Sequence, residues 1–87
     1  MTNFNFRTLD LNLLRVFDQV MSERNLTRAA SNLAMTQPAV SNALRRLREA
    51  LGDELVRRSG YGVEPTPRAL ALWPAIGDAL RQIEASL

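Results

Sequence analysis

The 87-residue chain contains no cysteine, no histidine and no lysine. Without cysteine there is neither a disulfide nor a thiolate metal site. Without histidine the commonest general base and the commonest metal ligand are both missing. There is no glycine-rich phosphate loop, and the nine acidic residues are scattered without pairing. Together these absences argue against an enzyme and leave no expected metal or cofactor. Long apolar runs are missing as well. Residues 11–21 are apolar on one side but broken by Asn12, Arg15, Asp18 and Gln19, so no transmembrane span is expected. The N-terminus lacks the basic region and apolar run of a signal peptide, which makes an intracellular, cytoplasmic location the default expectation. The 46% hydrophobic content is ample for one small folded domain, near the lower size limit for a self-sufficient core.

Every basic residue is arginine, and the arginines are unevenly placed. The net charge is only +2. Residues 24–58 hold seven arginines against Glu49, Asp53 and Glu54, whereas the remainder holds four against six acids. A basic middle on an otherwise slightly acidic chain favours an anionic partner at that place. Arginine forks also match phosphate oxygens and guanine edges.

Hydrophobic spacing predicts four helices and a hairpin. Asp10 is placed to cap a first helix over residues 11–22, with Leu13, Leu14, Phe17, Val20 and Met21 on one face. Thr27 is the expected cap of a short second helix reaching residue 33 and burying Ala29, Ala30 and Leu33. Thr36 caps a third helix, with Pro38 tolerated in its first turn and Gly52 as its stop. Val40, Leu44, Leu47 and Leu51 make that helix's apolar stripe. Pro38, Asn42, Arg45 and Glu49 lie opposite, and Gln37, Ser41 and Arg48 flank it. The following LVRRSGYGVEP stretch changes to a two-stranded pattern about a glycine-containing turn.

A helix pair with a short connection, the second helix opening on short polar side chains, is a helix-turn-helix with a candidate recognition helix. Gln, Ser, Asn and Thr suit base edges in a major groove. A hairpin after it makes a winged helix, with Arg57 and Arg58 placed for phosphates or a minor groove. The same polar face on a docking module would simply be solvated, and a winged-helix protein–protein interaction module is the alternative reading. RNA is disfavoured, since an A-form major groove is too narrow for a helix.

The runs LDLNLLRVFDQVMSERNLTRAASNL, MTQPAVSNALRRLREALGDELVRRSG and PTPRALAL together resemble the N-terminal part of a LysR-type transcriptional regulator. The resemblance rests on the Thr cap with two alanines, the Thr-Gln-Pro opening, Ser41, the Leu-Gly stop, the Leu-x-x-Arg lead into the wing and the Thr of the final helix. It implies sequence-specific binding of double-stranded DNA through base contacts by Gln37, Pro38, Ser41 and Asn42. Backbone contacts are implied for Thr27, Arg28, Thr36 and Arg45, with Arg58, and Arg57 beside it, serving the wing. Many relatives carry arginine where Asn42 stands, which implies a different base preference there. The implied operator is dyad-symmetric about an interrupted T…A core, in the bacterial nucleoid.

Thr66 and Pro67 open a last helix in which Trp73, Ile76, Leu80, Ile83 and Leu87 recur at the spacing of a coiled-coil seam. Residues 1–66 are therefore expected to form the winged helix-turn-helix and residues 67–87 a linker helix that pairs two copies into a homodimer. Packing of the whole stripe on the chain's own first helix is the competing outcome. Pro74 is expected to kink this helix. The resemblance further implies that a C-terminal effector-binding domain, absent here, belongs to the full-length protein, so that a small-molecule effector acts only there.

Overall fold

The computed structural model describes residues 4–87. A 3-10 turn at Phe6–Thr8 leads into α1 (Asn12–Glu23), α2 (Leu26–Leu33) and α3 (Gln37–Leu51). A hairpin of β1 (Val56–Ser59) and β2 (Gly62–Pro65) follows, and α4 (Pro67–Ser86) closes the chain. The architecture is the expected one, mainly helical with three helices, a two-stranded wing and a long final helix.

Helix α1 starts one residue later than its spacing predicts, and Asp10 still serves it, its carboxylate accepting the Asn12 amide at 2.9 Å. The helix supplies the centre of the core. Val16, Phe17, Val20 and Met21 are essentially inaccessible, and α1 packs against α2, α3 and α4. Val16 takes the buried position expected of Leu14, which is half-buried, as is Leu33 on α2. Ala29 and Ala30 are buried on α2, where their small side chains let helices approach closely. From α3 come Val40, Ala43, Leu44 and Leu47.

The corners depend on left-handed residues, three of them glycine-like positions filled by other side chains, among them Ala34 at the end of α2 with φ 55°. Gly52 ends α3 at φ 67°, as its position predicts. Arg24 ends α1 at φ 54°, and Leu55 leads into β1 at φ 63°. Such a backbone costs a non-glycine residue ~1–2 kcal/mol, so each must be held in place. Leu55 donates its amide to Asp53 at 2.8 Å and accepts from Thr66 at 2.8 Å, and its side chain is fully buried. The same Asp53 oxygen accepts the Thr66 hydroxyl at 2.8 Å. The Thr66 hydroxyl and the Leu55 amide hold the Asp53 carboxyl below its usual range. Thr66 also caps α4 by accepting the Ala69 amide at 3.2 Å.

Arg24 is held from three sides. Its Nε donates to the Met21 carbonyl at 2.7 Å, its guanidinium lies over the Trp73 ring at 5.8 Å, and its carbonyl accepts the Val63 amide at 3.1 Å. The last bond ties β2 to the α1–α2 corner. The strands pair antiparallel with Arg57 opposite Glu64 and Arg58 opposite Val63. The approach of the wing is so close at Gly62 that a Cβ there would overlap the Arg24 carbonyl oxygen.

Helix α4 continues through Pro74 as one helical span. No helix is long and apolar enough to cross a membrane among the described residues.

Gly62→Ala is expected to lower the unfolding free energy by about 2–3 kcal/mol, because backbone rather than a flexible side chain must give way. Gly60→Ala, with open space around its Cβ position, is expected to leave it nearly unchanged. Chemical denaturation followed by circular dichroism of the two variants checks both.

Candidate nucleic-acid interface

Helix α3 is anchored by its apolar stripe, and its opposite face is therefore presented to solvent. The Thr36 hydroxyl caps it by accepting the Ala39 amide at 3.2 Å. Gln37 and Pro38 occupy the first turn, where a missing proline N–H has no intrahelical partner to lose. Both are exposed, as is Asn42, while Ser41 is half-buried. Asn42 does not present its amide freely. Its oxygen accepts from Arg45 Nη2 at 2.6 Å, and Arg45 Nη1 pairs with Glu49 at 2.7 Å. The NH2 is left as the free end of the Asn42 amide, a donor.

Thr27 does not cap α2, contrary to expectation. The cap is Asn25, whose extended backbone aims its side-chain oxygen at the Arg28 amide, at 2.9 Å. Asparagine is at least as good a cap as threonine, and the chain reverses direction one residue after Arg24. Thr27 is thereby turned outward, its hydroxyl 3.5 Å from Gln37 Oε1. The contact places the first turns of α2 and α3 side by side, bringing two helix N-terminal partial positive charges together.

The wing completes two clefts. One, of about 200 Å³, is lined by Thr27, Gln37, Arg58, Ser59 and Gly60 among others. The other, of about 440 Å³, lies between α3 and β1 and is lined by Ser41, Arg45, Arg48, Arg57 and Arg58 among others. Arg58 is common to both. Arg57 donates from Nε to Glu54 at 2.9 Å, and that bond raises its pKa. The structure thus gathers Thr27, Gln37, Ser41, Arg45, Arg57 and Arg58 about two clefts that share Arg58. Pro38, Asn42, Arg28 and Thr36 line neither cleft. Arg48 also lines the second cleft, which its spacing alone does not single out. It stands seven residues after Ser41, two helical turns along the same side.

The seam residues of α4 lie elsewhere. Trp73 and Ile76 pack against the chain's own core, and the Trp73 indole donates to Asp18 at 2.9 Å. Leu80, Ile83 and Leu87 instead line an open groove of about 490 Å³ with Arg15, Asp18 and Leu33. Ile83 is 56% exposed and Leu87 fully exposed.

This arrangement has relatives. A family model described as "Bacterial regulatory helix-turn-helix protein, lysR family" matches residues 11–70. The HTH-type transcriptional regulator LeuO of Escherichia coli (strain K12) is 52% identical over 93% of this chain and 26% of its own length. Among solved structures, "probable transcriptional regulator PA0477" from Pseudomonas aeruginosa superimposes with a TM-score of 0.91 at 49% identity, over 93% of this chain and 27% of its own. The structure of BenM_DBD in complex with catB site 1 DNA superimposes at 0.82 with 29% identity, over 90% of this chain and 88% of its own. The chain spans about a quarter of the length of the curated relatives it matches.

Asn25→Ala is expected to destabilise the fold by about 1 kcal/mol through loss of the α2 cap. Thr27→Ala, whose hydroxyl caps nothing, is expected to cost almost none. Urea unfolding midpoints of the two variants distinguish the assignments directly.

Proposed function

The chain belongs to the LysR family of bacterial helix-turn-helix regulators, and from that membership we propose that it reads double-stranded DNA by setting α3 into the major groove. The observation that supports this most is the open, capped first turn of α3, flanked by unpaired arginine. Among the described residues, neither Arg28 nor Arg58 has a side-chain hydrogen bond or ion pair, so both are available to phosphates. Gln37, Pro38, Ser41 and Asn42 are the proposed base contacts. Thr27, Arg28, Thr36, Arg45, Arg57 and Arg58 are the proposed backbone contacts, which fix register without reading sequence. With its oxygen engaged by Arg45, Asn42 presents donors alone. It therefore favours an acceptor such as guanine N7 or O6, or thymine O4, over the two-bond adenine match that needs both ends of the amide.

Residues 1–66 are the proposed DNA-reading unit, and residues 67–87 a linker helix that joins two copies through Leu80, Ile83 and Leu87. Trp73 and Ile76 bear mostly on their own domain in this arrangement and support the seam from within. The homodimer takes a two-fold symmetric operator, one half-site per copy. No enzymatic activity is proposed, and the setting is the bacterial cytoplasm at the nucleoid. Small-molecule effector recognition is assigned to the full-length protein outside this span, as is any switching of transcription.

Selection from random duplexes tests the reading. A palindromic motif with fixed spacing is the expected result, and absence of enrichment at moderate salt hands the surface to a protein partner instead. Against the selected site, Gln37→Ala and Ser41→Ala are each expected to lose about 1–3 kcal/mol of discrimination. Arg28→Ala is expected to weaken all sequences alike, with the salt slope reduced by about 0.9. In sedimentation, the chain is expected to behave as a dimer that Leu80→Glu with Ile83→Glu converts to monomer. A wild-type monomer at DNA-binding concentrations would sink the linker-helix pairing.

A further inference from the structure

We propose that Arg48, together with Arg58, forms a phosphate clamp in the cleft between α3 and β1, taking a phosphodiester of the DNA strand that passes between recognition helix and wing. The proposal rests on the DNA-binding reading above and adds to it a residue and a division of labour. Arg48 Nε is the one buried side-chain nitrogen or oxygen without a hydrogen-bond partner among the described residues. A buried N–H of a charged group left unbonded is unfavourable and rare in folded proteins. The Arg48 side chain lines a cleft with room for a phosphate group, about 440 Å³. Nε itself is closed to solvent in this arrangement, so an oxygen arriving in that cleft meets the Nη end first, and a small outward turn of the side chain brings Nε and Nη into a fork matched to two phosphate oxygens.

The neighbouring arginines are not equivalent. Arg45 is already paired with Glu49 and Asn42, and Arg57 with Glu54, so each meets a phosphate only through its remaining donors. Arg48 and Arg58 line the same cleft, and neither side chain has a partner among the described residues. Ser41 adds a half-buried hydroxyl to the wall. The carboxylate that also lines the cleft, Glu54, is already paired with Arg57; two guanidinium groups and a hydroxyl facing one concavity are then the donor set of a phosphate site, and the anion at hand is the backbone of the bound duplex. The strand dividing a major from the adjacent minor groove must run between a helix lying in the first and a wing reaching the second. The α3–β1 cleft is that passage.

The test compares wild type with Arg48→Met, which keeps the stem and removes the fork, on a selected operator and on a mixed-sequence duplex over a range of salt. Dissociation constants are expected to rise about tenfold on both duplexes, the scale of one charge-assisted contact. The logarithmic salt slope is expected to fall by about 0.9. The melting temperature is expected not to fall, since the variant removes an unbonded buried N–H. A wild-type measurement stands beside it. The Arg48 Nε–Hε resonance is expected to move and to exchange more slowly with water once DNA is added. A resonance unmoved at saturation, or a folded Arg48→Met that binds with wild-type affinity and slope, overturns the clamp while leaving DNA binding intact. A wild-type chain that binds no duplex at low salt removes both readings together.

Discussion

Much of this small structure hangs on the peptide bond that follows Arg24. Its carbonyl receives the Val63 amide, and it does so at a distance that only a glycine at position 62 permits. A two-stranded hairpin is marginal on its own. This one is steadied by the helical body at two points, the Arg24 carbonyl and the Asp53–Thr66–Leu55 cluster at its base. The left-handed backbone of Arg24 is unfavourable in isolation, but it turns the carbonyl toward the wing. The side chain then offsets part of the cost by bonding Met21 and lying over Trp73. One residue therefore joins α1, the wing and α4, three elements with different proposed roles.

The charges show a similar economy. A simple count of arginines suggests a uniformly basic surface, yet several are already answered. Arg45, Arg57 and Arg81 have carboxylate partners at hydrogen-bonding distance, and Arg68 donates to the Leu51 carbonyl. Exposed pairs of this kind add little stability. Their larger effect is geometric, because each fixes where a cation sits. Against that background the open arginines of the middle segment, Arg28, Arg48 and Arg58, mark out a more focused positive field than the net charge of +2 conveys.

Local signals in the sequence proved legible because their physics is local. Thr36 before Gln-Pro, Gly52 after the last apolar residue of α3, and Thr66 before Pro67 each act within one helical turn, and each does what its position predicts. The winged helix-turn-helix was readable from the same cues in order. What escaped depends on distant partners. Thr27 and Asn25 are both acceptable caps, and only the corner at Arg24 decides for Asn25. The left-handed Leu55 is set by Asp53 and Thr66, and no property of leucine announces it. The periodicity of α4 is genuine over its whole length. It cannot tell which repeats meet the chain's own core, as Trp73 and Ile76 do, and which remain open, as Ile83 and Leu87 do. A helical wheel ranks Arg48 as merely flanking. Its place in a cleft comes from the wing folding back beside it.

Trp73 is the chain's sole tryptophan, and its surroundings are unusual for so small a protein. Its indole N–H is bonded to Asp18, and a guanidinium whose own backbone holds the wing rests on its face. Both neighbours perturb the electronic states of an indole. The tryptophan fluorescence of the protein therefore originates at the junction of α1, α4 and the wing, so the molecule carries its own optical gauge of how the last helix sits on the domain before it.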